Sequence, residues 1–217
     1  QADCDLEDGQ HHIDGNADPG GALGLAGTTG VEGDIGTDRR RSFERHGLQA
    51  GRPAVYSQVS HSSWMSAMGK LSETLALAQE RARAMKLPYA GALVPREAWD
   101  VLQLAPGAKL VDVRTRAEWD WVGRVPGAVE IEWMLYPGNE PNAHFLAQLK
   151  RQVDPEALVM FLCRSGARSN TAANLAVASG FTNAYNILEG FEGDKDANGH
   201  RNKIGGWRHA NLPWTQG

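Results

Sequence analysis

The chain has 217 residues, 41% of them hydrophobic and 22% charged, which suits one globular domain with an extension or two small domains. Its formal net charge is −4. Residues 1–64 hold ten Asp/Glu and five Arg, leaving 17 basic and 16 acidic residues in 65–217, a balance that excludes a broad nucleic-acid surface. No apolar run approaches the roughly 20 residues that cross a bilayer, and no secretory signal is visible, so neither membrane nor nucleic acid is expected as a partner.

Residues 1–64 do not read as a fold. Glycine recurs at every third position from Gly21 to Gly36, but no proline fills the intervening sites, so collagen is excluded and low complexity remains. Arg39, Arg40, Arg41 and Arg45 read as a solvated basic run. The chain begins with Gln, and Met65 and Met68 stand just ahead of the first convincing helix. The expectation is a disordered or foreign extension over 1–64 and a folded domain over 65–217. The two cysteines, Cys4 and Cys163, suggest no disulfide framework, and a reducing, cytoplasmic compartment is expected.

From residue 70 the pattern changes. Leu71, Leu75, Ala78, Ala82 and Met85 repeat at helical spacing, giving a helix over 70–86 that Pro88 ends. Gly91 to Val94 reads as a short extended piece, and Pro95 opens a helix to about Leu104. Strands are expected at 109–113 and 128–131, with a short helix over 115–122 between them. A helix over 142–153 follows. The apolar run Ala157 to Leu162 is a central strand covered on both faces. A helix over 167–179, a strand over 184–188 and a helical turn over 207–210 complete the chain. Strands and helices in alternation predict a parallel sheet between helical layers, with right-handed crossovers.

The informative segment is Cys163-Arg164-Ser165-Gly166-Ala167-Arg168-Ser169. It joins the central strand to a helix, and ligands of open α/β sheets bind at such strand ends. Successive N–H groups of a tight loop feeding a helix N-terminus form an anion site. Gly166 permits a backbone conformation that a side chain hinders. Helix N-termini and nearby arginines lower a cysteine pKa from about 8.5 to between roughly 3.5 and 7.5, so the setting favours a thiolate on Cys163. Arg164 and Arg168 are placed to attract an anionic substrate.

Over residues 87–215 the chain resembles a single-domain rhodanese. Cys163 to Arg168 matches that family's six-residue loop, Cys-Arg-x-Gly-x-Arg/Thr. Leu110 to Arg114, Glu118 and Val125-Pro126-Gly127-Ala128 resemble its two preceding signatures, with Arg124-Val125 where His-Ile is commoner. Leu188-Glu189-Gly190-Phe191, Gly206-Trp207 and Leu212-Pro213-Trp214 resemble its closing elements, with Glu192 where a second glycine is often found. The resemblance implies a three-layer α/β/α fold with a five-stranded parallel sheet. It implies thiosulfate sulfurtransferase activity in which Cys163 takes sulfur from thiosulfate or a similar small donor as a persulfide. Cyanide, glutathione or another thiol then accepts it, with a protein donor or acceptor as a further option. Backbone amides of residues 164–168, from Arg164, Ser165, Gly166, Ala167 and Arg168, bind the substrate, and no cofactor is required beyond the covalent persulfide.

Two rival readings stand beside it. One is a persulfide carrier or binding module with little thiosulfate turnover, which also needs Cys163. The other is a cysteine phosphatase on the same fold, whose loop places five residues between Cys and Arg; here four separate Cys163 from Arg168. Asp112, Arg114 and Glu118 are expected to brace the loop, with an Arg114–Glu118 ion pair four residues apart. Trp133, Phe191 and Trp207 are the candidate pocket walls. Asp194, Asp196, Asn198 and Gly199 imitate the start of a calcium loop, but Gly205 stands where a bidentate Glu is needed, so a polar surface loop is expected. The histidines show no metal-ligand spacing, and no metal is expected.

Overall fold

The computed structural model describes residues 61–217, and the expectations for residues 1–60, including Cys4, lie outside it. Twelve elements follow in order. Helix α1 spans His61–Ala84, strand β1 Gly91–Leu93, helix α2 Pro95–Leu104 and strand β2 Lys109–Asp112. Helix α3 is Arg116–Trp121 and strand β3 is Val129–Glu130. A small hairpin, β4 Met134–Leu135 with β5 Glu140–Pro141, precedes helix α4, Phe145–Gln152. Strand β6 is Val159–Leu162, helix α5 Ala167–Ala178 and strand β7 Ala184–Ile187.

Helix α1 starts nine residues ahead of the expected position. Gly69 interrupts the apolar pattern without ending the helix, a cost of about 1 kcal/mol against alanine that a long helix absorbs. Residues 207–210 form a single turn closed by Ala210 N–H donating to the Gly206 carbonyl at 3.0 Å, as expected. Helix α2 opens on Pro95, and the Glu97 carboxylate accepts from the Val94 N–H at 2.9 Å. Glu97 also pairs with Arg81 at 2.9 Å, which fastens α2 to α1.

The main sheet has five parallel strands in the order β1-β7-β6-β2-β3. All four residues of β6 are buried, and their side chains alternate between two cores. Val159, Phe161 and Cys163 face the cluster that contains Phe145 and Leu149 of α4 and Ala172, Ala173 and Ala176 of α5. Met160 and Leu162 face the opposite cluster, with Ala78 of α1, Val101 of α2, Phe191 and Trp207. Each fully buried large apolar side chain contributes roughly 1.5–3 kcal/mol, so β6 is anchored from both sides. The three-layer α/β/α sandwich is therefore what the chain forms.

This order fixes where a ligand can enter. From β2 the chain steps outward to β3, and from β6 it steps the other way to β7. The connections leaving β2 and β6 therefore part at their carboxyl ends, and a crevice opens between them. Residues 113–118 and 163–168 both begin at that crevice.

Candidate active site

Cys163 follows the last residue of β6 and is 1% exposed. Gly166 is the N-cap of α5 and adopts φ 96°, a left-handed conformation that suits glycine. That turn aims the Gly166 N–H at the Cys163 sulfur, which it reaches at 3.2 Å. The Ser169 hydroxyl lies at the same distance from the sulfur and at 3.1 Å from the Gly166 carbonyl. Ser169 is fully buried in the first turn of α5. In the sequence Ser169 closes the informative segment but receives no role at the sulfur, although its place six residues after the cysteine puts it on the first turn of the helix.

The loop is backed by the segment after β7. Phe191 N–H donates to the Cys163 carbonyl at 2.7 Å, and Glu192 N–H donates to the Arg164 carbonyl at 2.9 Å. Gly190, at φ 65°, allows this approach: a Cβ there would lie 2.4 Å from the Cys163 carbonyl oxygen.

Helix α3 supplies the facing wall. Thr115 and Glu118 form a reciprocal cap: the Thr115 hydroxyl accepts from Glu118 N–H, and Glu118 accepts from Thr115 N–H at 2.9 Å. The same carboxylate holds Arg168 in a two-pronged pair, at 2.8 and 2.7 Å. Burial by itself would raise the Glu118 pKa. The Arg168 hydrogen bonds, the Thr115 backbone bond and the charges of Arg168 and Arg114 override it and hold the carboxyl at about 2. Burial also works against the charge of Arg168, but Glu118 outweighs it and raises the Arg168 pKa.

A cavity of about 480 Å³ opens between the loop, α3 and the hairpin. Cys163, Arg164, Ser165, Ala167 and Arg168 line one part of it; Thr115, Ala117, Glu118, Trp121 and Val122 line another; Tyr136 and Asn139 of the hairpin complete it. The family model of the rhodanese-like domain matches residues 95–197, which contain this whole loop. The thiosulfate sulfurtransferase GlpE of Pseudomonas entomophila is 32% identical over 88 residues, covering 41% of this chain and 71% of that protein. The chain belongs to the rhodanese-like domain family. The uncharacterized protein RC0915 of Rickettsia conorii is 40% identical over 124 residues, 54% of this chain and 91% of that one. The crystal structure of Rv0390 from M. tuberculosis is 46% identical, with a TM-score of 0.55 over 59% of this chain and 99% of its own. Membership of the rhodanese-like family supports sulfurtransferase chemistry in general.

The geometry of this rhodanese-like domain corrects several expectations. Arg114 does not pair with Glu118. It is fully buried, binds Asp112 through two nitrogens, at 2.6 Å for the shortest contact, and donates to the Gly123 carbonyl at 2.7 Å. Its guanidinium lies on the Phe191 ring, 3.9 Å from the centroid. Arg114 points down into the second core because α3 turns away after its Thr115 cap, which leaves Glu118 free to reach Arg168. Asp112 and Arg114 thus sit beneath the loop as an ion pair, and Glu118 alone of the three lines the cavity.

The pocket walls also differ. Trp133 packs edge-on against Phe145 in the first core. Phe191 and Trp207 are fully buried in the second. Trp207 donates its indole N–H to the Pro213 carbonyl at 2.8 Å. The aromatic residues on the cavity are Trp121 and Tyr136. Among the described residues no group of three or more His, Cys, Asp or Glu is arranged to hold a metal. The Asp196 carboxylate turns inward on its own loop, accepting from Asn198 and His200 N–H.

Proposed function

We propose that this domain is a thiosulfate sulfurtransferase, or a close relative of one, that carries sulfane sulfur as a persulfide on Cys163. The observation that carries the reading is the pair of donors, Gly166 N–H and the Ser169 hydroxyl, each 3.2 Å from the sulfur of Cys163, a residue that lines the cavity. In the first half-reaction the Cys163 thiolate attacks the outer sulfur of thiosulfate. A new S–S bond forms, the donor S–S bond breaks, and sulfite leaves with its electron pair. In the second, a thiophilic acceptor such as cyanide, glutathione or another thiol attacks the persulfide's outer sulfur and regenerates the Cys163 thiolate. This is covalent catalysis in two easier steps, with no cofactor in either.

Fixed donors stabilise a sulfur anion without reorganising as charge develops. Arg164 is exposed and has no ion pair among the described residues, so it is the arginine that draws in the anionic donor. Arg168 shares its charge with Glu118 and orients the wall more than it attracts substrate. Persulfide cycling needs a reduced thiol, which agrees with the cytoplasmic expectation.

The test is intact-mass measurement after incubation with thiosulfate and removal of excess reagent. The expected result is a gain of one sulfur atom, abolished in Cys163→Ser. Loading from a protein persulfide but not from thiosulfate favours the carrier reading, and loading from neither defeats the proposal.

A further inference from the structure

We infer that the acceptor is an organic thiol bearing a flat apolar group, which packs on the exposed Trp121–Tyr136 pair while its sulfur reaches Cys163. This rests on the persulfide reading above and specifies its second half-reaction.

Trp121 is 67% exposed and Tyr136 57% exposed. Their rings meet edge to face, with centroids 5.9 Å apart and planes at 86°. Neither belongs to either hydrophobic core. Two large rings held in water at the mouth of a pocket serve neither core packing nor solubility, and such exposed apolar surface marks a contact site. Both residues line the same cavity as Cys163, and Ala117 and Val122 line it with them.

Size and charge agree. A cavity of about 480 Å³ falls within the roughly 300–1,000 Å³ range of sites that enclose drug-sized ligands. Cyanide or thiosulfate fills only a small part, since one water takes about 30 Å³. Of the charged groups on the cavity, Glu118 offsets Arg168, and Arg164 is left as the free cation. A site shaped for small anions alone has no use for an aromatic rim.

The step balances. The acceptor enters as a thiol and passes its proton to the outer sulfur of the Cys163 persulfide anion as its own sulfur attacks there. The S–S bond to Cys163 breaks, Cys163 departs as thiolate, and the acceptor leaves as a persulfide that carries the proton it brought.

The experiment loads the full chain with thiosulfate and follows sulfur loss by quenched intact-mass measurement. The acceptors are 4-(mercaptomethyl)benzoate and mercaptoacetate, which share a thiol and a carboxylate and differ in the ring. Each rate is normalised to that with a small persulfide in solution. The aryl thiol is expected to react about tenfold faster, and Trp121→Ala or Tyr136→Ala to remove most of that advantage, the scale of one aromatic contact. Equal normalised rates in the parent protein, or an advantage that survives both substitutions, overturns the inference while leaving loading, and hence the Cys163 reading, intact. If no donor loads the chain, both fall together.

Discussion

Replacing Glu118 with glutamine isolates the charge that ties the wall of the site to its loop. Glutamine still accepts a hydrogen bond from Thr115 N–H, so the cap of α3 largely survives. What disappears is the charge that faces Arg168 through two contacts of 2.8 and 2.7 Å. The Glu118 side chain is 17% exposed, so solvent screens the pair only partly. A carboxyl held at about 2 instead of 4.5 corresponds to roughly 3 kcal/mol of differential stabilisation. The folded-state pKa is depressed, so this contribution is complete above about pH 4.5 and is lost as pH falls toward 2. Urea unfolding of the parent and Glu118→Gln proteins should differ by about 2–3 kcal/mol at pH 7. By pH 3 a little over half of that gap should have closed, because the unfolded parent takes up a proton below about 4.5 while the variant has no carboxylate to protonate. A gap that stays constant between pH 7 and pH 3 refutes the electrostatic account. No gap at either pH shows that the pair offsets its own desolvation.

Gly190→Ala places a Cβ 2.4 Å from the Cys163 carbonyl at a φ of 65°, and should lower stability by about 2–3 kcal/mol in urea unfolding and slow persulfide loading as the loop is displaced. Ser169→Ala removes one of the two donors on the sulfur and should slow loading about tenfold, the scale of a hydrogen bond to a charged group, at a stability cost of about 1 kcal/mol by thermal melting. An unchanged loading rate in Ser169→Ala means that the hydroxyl bonds only to the Gly166 carbonyl.

The sheet was legible because its signals are local. Val159 to Leu162 is unbroken apolar sequence, and Gly166 marks where the strand must turn into a helix. Helix α2 matched because Pro95 opens it and Leu104 closes its apolar face. The site was legible only in part. The Arg168 partner lies 50 residues away, and nothing local to either residue names the other. Spacing favoured Arg114 with Glu118, but the chain turns at Thr115, so their side chains leave on opposite sides. A signal was present: Thr115-x-x-Glu118 is a capping-box pattern, and it places Glu118 inside the first turn of a helix that starts at the sheet's carboxyl edge. The hairpin of β4 and β5 left no such mark, since two-residue strands carry no alternation to read. With it went Tyr136, and the wall was assigned to Trp133, Phe191 and Trp207 on aromatic content alone.

The orientation of the loop follows from peptide geometry. A trans peptide points its C=O and the next N–H in opposite directions. The Cys163 carbonyl is turned toward Phe191 N–H, so Arg164 N–H points away from segment 190–192. The Arg164 carbonyl is turned toward Glu192 N–H, so Ser165 N–H does the same. Two carbonyl oxygens that would repel a sulfur anion are thereby occupied by a neighbouring backbone, and the amides behind them are left to the other side. The buried Asp112–Arg114 pair keeps Phe191 in place through its ring, and Phe191 keeps the loop in place through its amide. On the proposed reading, the anion site is set by backbone bonds between the ends of β6 and β7, and the arginines would adjust its reach and selectivity. For that reason Gly190, which touches no substrate, should matter to loading more than the exposed Arg164 does.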